Sequence, residues 1–539
     1  MAVLAVIWAG AAGYGSTACS YGAAPFTPVL QTTEHELSSA NVYTYHYDHL
    51  RTGANSAETI LTHANVNQAT FGKLWSLPVD GYVYGEPLYV SGITVAGRLR
   101  NVLYVATEND SVYAFDADSG QTTPLWHTSF INPSAGITAV PSYDPDIVPQ
   151  IGITSTPVID PASETIYTVA FTDKNGTLVQ RLHALNLLNG LERPGSPVVI
   201  APTVPGNGPG SVNGIVTFDP MLENQRAGLL LVSGIVYIAW GAFADYSNYH
   251  GWIAAYNGQT LAQIAIFNDS PNSLGGGMWQ AGDGLASDNV GDVFASTGNG
   301  VFDADTGGVD YGDTLLHLSP TLQVKQYFTP FNQLYLGEYD VDLSAGGLLL
   351  IPHADTGVMR LMVGADKDQT VYITKLNHMG GYTPPPGPDQ IVQEFPLTNT
   401  PSGAIDSAPA YFNRTLYYSP TNGPTEAFTL QSNNLFNTTP TSTFSPPAGF
   451  TFPGPVPSVS ANGKSSGIVW LIDAQNFVSQ GPAVLYALNA SNLAELYDST
   501  QAGTRDQAGG AVKFTTATVA NGKVFVGCEA EVTVYGLLP

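Results

Sequence analysis

NVLYVATENDSVYAFDADSG, residues 101–120, reads as two apolar strands joined by a polar turn and closed by a run of Asp, Ser and Gly. NVLYVAT and SVYAFDA are rich in Val, Tyr and Phe, the residue types that suit a pleated surface, and the segments between them carry turn formers. Weaker copies of the same phrase recur: QRLHALNLLNG (180–190), GWIAAYNGQT (251–260), DTLLHLSPT (313–321), TVYITKLN (370–377), AVLYALNASN (483–492) and EVTVYGLLP (531–539). A spacing of several tens of residues, built from strands and turns alone, specifies a radial repeat.

Each repeat divides into four strands. The first holds EPLYV, NVLYVAT, SVYAFDA and PLWHTSF, and six further units follow, the sixth with a poor outer strand near Ser442. The last unit has FTTATV, KVFVG and VTVYG and is one strand short. KLWSLPV (73–79), which precedes the first unit, fits the missing outer position, and closing the ring this way removes an exposed sheet edge. Trp75 is expected to be buried between blades there. The fold expected is therefore all-β: an eight-bladed β-propeller of four-stranded antiparallel blades over residues 70–539, closed by an N-terminal strand, with a leader over 1–26 and an N-terminal extension over 27–69. No window sustains apolar residues at helical spacing between caps.

Only 11% of the residues are charged, against roughly 25% in an average soluble protein. With 43 Asp and Glu against 17 Lys and Arg, the formal net charge is −26, which repels nucleic acid and favours cationic or neutral partners. The opening MAVLAVIWAGAAGYGSTAC is too short and too small-residue-rich for a membrane span and suits an export signal, although no Lys or Arg precedes Arg51. The expected location is periplasmic or extracellular. Cys19 and Cys528 allow no disulfide framework beyond one pair, and CxxC and CxxCH are both absent.

From about His46 onward several stretches resemble PQQ-like repeat proteins, the propellers of quinoprotein alcohol dehydrogenases and of an exported group in environmental bacteria. They include DHLRTGAN, FGKLWSLPVDG, DIVPQIGITSTPVIDP, GDGLASDNVGDVFASTGNG and KFTTATVANGKVFVG. The resemblance implies the eight-bladed fold and, through the dehydrogenases, PQQ with calcium. The adjacent cysteine pair that lies over the quinone in those enzymes is missing here, so PQQ is the less favoured cofactor.

Propeller ligands sit at the mouth of the central channel, on the loops that lead into the inner strands. Those loops carry Arg226, Trp279, Gln280, Asp283 and Lys513, the expected cofactor-binding set: an Arg and a Lys for carboxylates and an indole platform for a planar ring. NGVFDADTGGVDYGD (299–313) gathers Asp303, Asp305, Asp310 and Asp313 on a glycine-rich loop, hard oxygen ligands that suit Ca²⁺, although the spacing is not that of an EF-hand. His46, Asp48, His49 and Arg51 cluster ahead of the first blade, and the two histidines are expected on the surface. GKSSG (463–467) matches a nucleophile elbow in letters but falls between two strands, where a hairpin turn is expected. No catalytic set emerges. The expected function is that of a binding or scaffold propeller for an envelope or extracellular glycan or protein. The alternatives are a PQQ- and calcium-dependent oxidoreductase and a polysaccharide-active enzyme.

Overall fold

The strand–turn–strand phrase forms the middle of a blade. In the computed structural model, which describes residues 41–245, 248–398, 400 and 402–539, Arg98–Thr107 and Ser111–Asp116 lie side by side. Leu88–Val95 and Trp126–Ser129 flank them in an antiparallel four-stranded sheet. Tyr104 stands opposite Leu88, Asp116 opposite Val102 and Thr128 opposite Val112. Ser111 through Phe115 are buried on both faces, because each blade is sandwiched between two others. The residues of the expected leader and Cys19 lie outside the described set.

Seven further blades repeat the plan, giving an eight-bladed propeller. Their inner strands after Leu88–Val95 are Val158–Asp160, Leu230–Val232, Ala286–Ser287, Leu348–Leu350, Ala410–Phe412, Ser458–Asn462 and Thr518–Ala520. The ring closes as expected. Phe71–Pro78 pairs antiparallel with Glu531–Leu537, from Phe71 opposite Leu537 to Pro78 opposite Glu531, as the outer strand of the eighth blade.

One detail of the closure differs from expectation. The register shifts between Lys73 and Trp75, and such a bulge re-aims the side chains beyond it. Trp75 is only partly buried and lies over Gly120, where an added Cβ would meet its ring at 3.1 Å. The buried anchors are Leu77 and Phe71, whose ring centroid lies 5.0 Å from Tyr497 and 5.6 Å from Trp470. Two short helices, Gln333–Tyr339 and His353–Thr356, stand in connecting segments where none was expected.

The recurring polar residue after the third strand has a local cause. The side-chain carbonyl or carboxylate oxygens of Asp116, Asn186, Asn257 and Asn489 each accept the backbone N–H two residues on, at 3.1, 2.8, 2.9 and 2.9 Å. The tyrosine in several second strands has a tertiary cause. Tyr104, Tyr167 and Tyr237 donate their hydroxyls to the turn carbonyls of Leu187, Gly258 and Pro320 in the following blade, at 3.1, 2.9 and 2.8 Å. Tyr417 reaches Ala490 in the same way at 2.7 Å. The repeat phrase thus contains both halves of a latch between neighbouring blades.

Candidate functional site at the channel mouth

Antiparallel order inside every blade puts the starts of all inner strands on one face. Most of the long connections stand on that face, while the turns opposite, such as Val95 to Arg98 and Asn462 to Ser465, are short. The described channel does not run open behind this face. Residues 42–56 lie across it and bond to the inner edge of every blade.

Val42 exchanges two backbone bonds with Tyr89 of the first blade, at 2.7 and 3.0 Å. The carbonyls of Tyr43, His49 and Leu50 accept N–H groups of Ile159, Ser287 and Leu350 at 2.8, 2.8 and 2.9 Å. Those of Thr52 and Gly53 accept from Tyr411 and Val459, both at 2.7 Å. Ala54–Asn55 then pairs parallel with Val459 and Ser460. The eighth blade is reached through Val519, whose N–H donates to the Tyr47 hydroxyl at 2.9 Å and whose carbonyl accepts the Asn55 amide at 2.7 Å. The segment coils tightly enough for this only because His46, Tyr47 and Arg51 adopt left-handed φ values of 54°, 70° and 62°.

Arg51 completes the plug. Its fully buried guanidinium donates to the carbonyls of Leu285, Tyr45 and Leu229 at 3.0, 2.8 and 3.3 Å and to the Thr44 hydroxyl at 2.7 Å. Burial pushes Asp283 nearby up to about 7, against the opposing pull of Arg51, and its carboxylate accepts the Leu348 and Gly284 N–H groups. Glu86 is likewise pushed up to about 8 by burial and accepts the His46 N–H at 2.8 Å. His46 is not on the surface: it is fully buried, and burial, then the Arg51 charge, holds it down at about 3, so it is a neutral packing group, whereas His49 is exposed as expected. Tyr43, Tyr45 and Tyr47 alternate as they would in a strand, but the left-handed φ values of His46 and Tyr47 coil the chain there, so no period in the sequence announces this segment.

Above the plug, two cations sit on aromatic rings. The Arg226 guanidinium lies 4.6 Å from the centroid of Phe514 and 5.9 Å from that of Tyr84. The Lys513 ammonium lies 4.6 Å from Phe477 and 5.7 Å from the same Phe514, and is paired with Asp146. Burial lowers the basicity of both. Arg226 is 7% exposed, and its Nη2 is buried with no hydrogen-bond partner among the described residues. Gly282, at φ 80°, keeps that nitrogen's surroundings open: an added Cβ would lie 3.2 Å from Nη2. Glu108 stands near, pushed up to about 7 by burial, with Oε2 accepting the Gly152 N–H and Oε1 unpartnered. Across the mouth the surface is acidic. Asp342 pairs with Lys367 at 2.5 Å, and burial pushes Asp406 up to about 6.

The expected cofactor set is therefore brought together only in part. Arg226 and Lys513 share Phe514. Gln280 and Asp283 are fully buried and spend their polar atoms on backbone: the Gln280 amide donates to the Gly284 carbonyl at 3.0 Å. Trp279 covers the backbone of Gly241, where an added Cβ would meet its ring at 3.1 Å. Phe514 and Tyr84 were missed, because isolated aromatics in loops carry no pattern.

The four aspartates of the 299–313 loop do not converge. Asp303 Oδ1 accepts the Asp310 N–H at 2.9 Å, Asp310 Oδ1 accepts the Asn272 N–H at 3.1 Å, and Asp313 Oδ1 accepts the Leu343 N–H at 3.2 Å, while Asp305 is exposed. Their oxygens fold the loop, and among the described residues no three His, Cys, Asp or Glu side chains are grouped to hold a metal ion. GKSSG is the expected hairpin turn, with Asn462 opposite Ser465.

No protein-family model matches the chain, and no curated protein does. Solved structures do. The chain is similar to the quinohemoprotein alcohol dehydrogenase of Pseudomonas putida, with a TM-score of 0.57 at 12% identity over 92% of this chain and 80% of that one. It is similar to the quinohemoprotein alcohol dehydrogenase of Comamonas testosteroni, with a TM-score of 0.56 at 16% identity over 93% and 81%. A europium-containing methanol dehydrogenase gives 0.57 at 11% identity over 92% and 98%. At these identities the likeness is one of fold, and the chain has the PQQ-like eight-bladed propeller of the quinoprotein dehydrogenases.

Proposed function

We propose that the chain is a binding propeller that takes a carboxylate-bearing ligand at the mouth of its plugged channel, acting in the periplasm or outside the cell on an envelope or extracellular component. One observation carries the reading: a buried arginine whose Nη2 has no partner among the described residues, beside a second cation on the same phenylalanine, in a chain with only 17 Lys and Arg. A buried charged donor left unpaired costs several times what an exposed one does, and a ligand carboxylate would supply its missing bond. The low charge content and the apolar opening stretch support the location.

The mouth does not fit a bound quinone tricarboxylate. Glu108, Asp144 and Asp146 stand around the two cations, Lys513 is already paired, and no metal-binding group accompanies them among the described residues. Cys528, the one cysteine among the described residues, is a buried thiol inside the eighth blade.

Calorimetric titration with mono- and dicarboxylates, uronate oligosaccharides and PQQ plus Ca²⁺ tests the reading. A carboxylate ligand is expected to bind the wild type and to lose at least tenfold in affinity with Arg226→Gln. Dye reduction with PQQ and Ca²⁺, or cleavage of a glycan, abolished by mouth substitutions would replace binding by catalysis. Equal binding by wild type and Arg226→Gln would remove the mouth as the site.

A further inference from the structure

Beside the mouth, on the same face, the loop after the first blade and the long connection into the third line an open cavity of about 620 Å³, within the roughly 300–1,000 Å³ of small-molecule sites. One wall is apolar. Tyr143 forms part of it, its ring 5.1 Å from Phe243 and its hydroxyl donated to the Met221 carbonyl at 2.9 Å, with Val216 and Leu222 beside it. The charged residues that line it are both acidic, Asp219 and Glu223.

Glu223 is the unexplained group. It is 1% exposed, Oε1 accepts the His250 N–H at a long 3.3 Å, and Oε2 has no partner among the described residues. The Trp252 indole N–H faces its carboxylate, and it too completes no hydrogen bond among the described residues. Behind lies Asp269, fully buried, with Oδ2 also unpartnered. The His250 ring is not free to serve a ligand. Nδ1 faces the Ser270 carbonyl and Nε2 the Pro209 carbonyl, both at 3.0 Å, so the imidazole ties the cavity's wall to the third blade.

From this arrangement we infer a second binding site, for an organic primary amine with an apolar body: the ammonium on Glu223 and the body against Tyr143 and Met221. An ammonium carries three donors and matches an acceptor-only carboxylate, whereas an anion would meet the two acids Asp219 and Glu223. Burial holds the Glu223 pKa well up, so a bound ammonium would draw it ionised and release a proton. The inference is independent of the mouth, since none of the residues it uses is Arg226 or Lys513.

The test is isothermal titration of the full chain with phenethylamine and with 2-phenylethanol, its neutral analogue, in two buffers of different ionisation enthalpy. The amine is expected to bind with proton release to the buffer, the alcohol at least tenfold more weakly. Glu223→Gln should weaken the amine at least tenfold, and Arg226→Gln should leave it unchanged. Thr217→Trp, at an exposed position of the lining, should block binding without altering the melting curve and serves if Glu223→Gln does not fold. Absence of amine binding, equal binding of amine and alcohol, or equal binding by wild type and the folded variants would overturn the assignment.

Discussion

Two arginines are buried in the channel, and the structure gives them opposite roles, so they should respond oppositely to removal. Arg51→Met takes away a guanidinium that serves three carbonyls and a hydroxyl and leaves those carbonyls buried beside Asp283 and Glu86. Each orphaned buried acceptor costs about 1–3 kcal/mol, and breaking a buried charge arrangement costs about 3–5 kcal/mol in total. We take about 4 kcal/mol, because the methionine stem keeps most of the packing. Arg226→Met removes a group whose Nη2 is already unpaired, at the loss of a cation–π contact of about 1–2 kcal/mol, offset by relief of its desolvation. The net change should stay within about 1 kcal/mol. Urea denaturation followed by tryptophan fluorescence measures both. At a slope near 3 kcal/mol/M, Arg51→Met should move the midpoint down by about 1.3 M and Arg226→Met by about 0.3 M or less. Equal shifts for the two, or an Arg51→Met midpoint within error of the wild type, would refute the plug.

Phe71→Ala should destabilise by about 3–5 kcal/mol, and Trp75→Ala by clearly less, because Phe71 is the buried anchor of the closing strand; comparing the two melting curves decides it. Tyr167→Phe should cost about 1 kcal/mol in urea denaturation, the worth of one latch between the second and third blades. Glu86, ordinarily at 4.5 and raised to about 8, keeps its proton in the folded chain after the unfolded chain has lost it, so the stability it contributes is present below about 4.5 and gone above about 8. Glu86→Gln should therefore flatten the fall in melting temperature between pH 5 and 8.5, and an unchanged slope would contradict its burial as an acid. Cys528, its thiol pushed up to about 12 by burial, should resist alkylation in the native protein and react once unfolded, as read by peptide mapping.

The blades were legible because their information is local and repeated. A second strand such as VLYV, a third such as VYAF and the Asx turn that follows are dictated by period and turn chemistry, and eight copies reinforce one another. Ring closure was legible for a related reason: a four-stranded plan with one strand missing must find it elsewhere, and KLWSLPV was the unassigned strand. The bulge that sends Trp75 outward was not, because a one-residue shift of register is set by pairing with Glu531–Leu537 and leaves no mark in composition.

The channel depended on contacts that no local pattern encodes. HYDHLRT looks like a polar loop, yet its backbone meets inner strands hundreds of residues away, and the low dielectric there makes a neutral imidazole of His46 and a structural strut of Arg51. The same letters decide nothing at the mouth. Arg226 and Lys513 were conspicuous for their rarity, but only folding set both on Phe514 and left one nitrogen unbonded, and only folding spent the aspartates of 299–313 on backbone N–H groups. The chain's own letters thus determined the repeat, the blade count and the closure, which rest on short-range propensity multiplied. The tertiary structure decided the plug, the cation pair and the unpartnered Glu223, which rest on where distant residues meet and on what their burial then forbids.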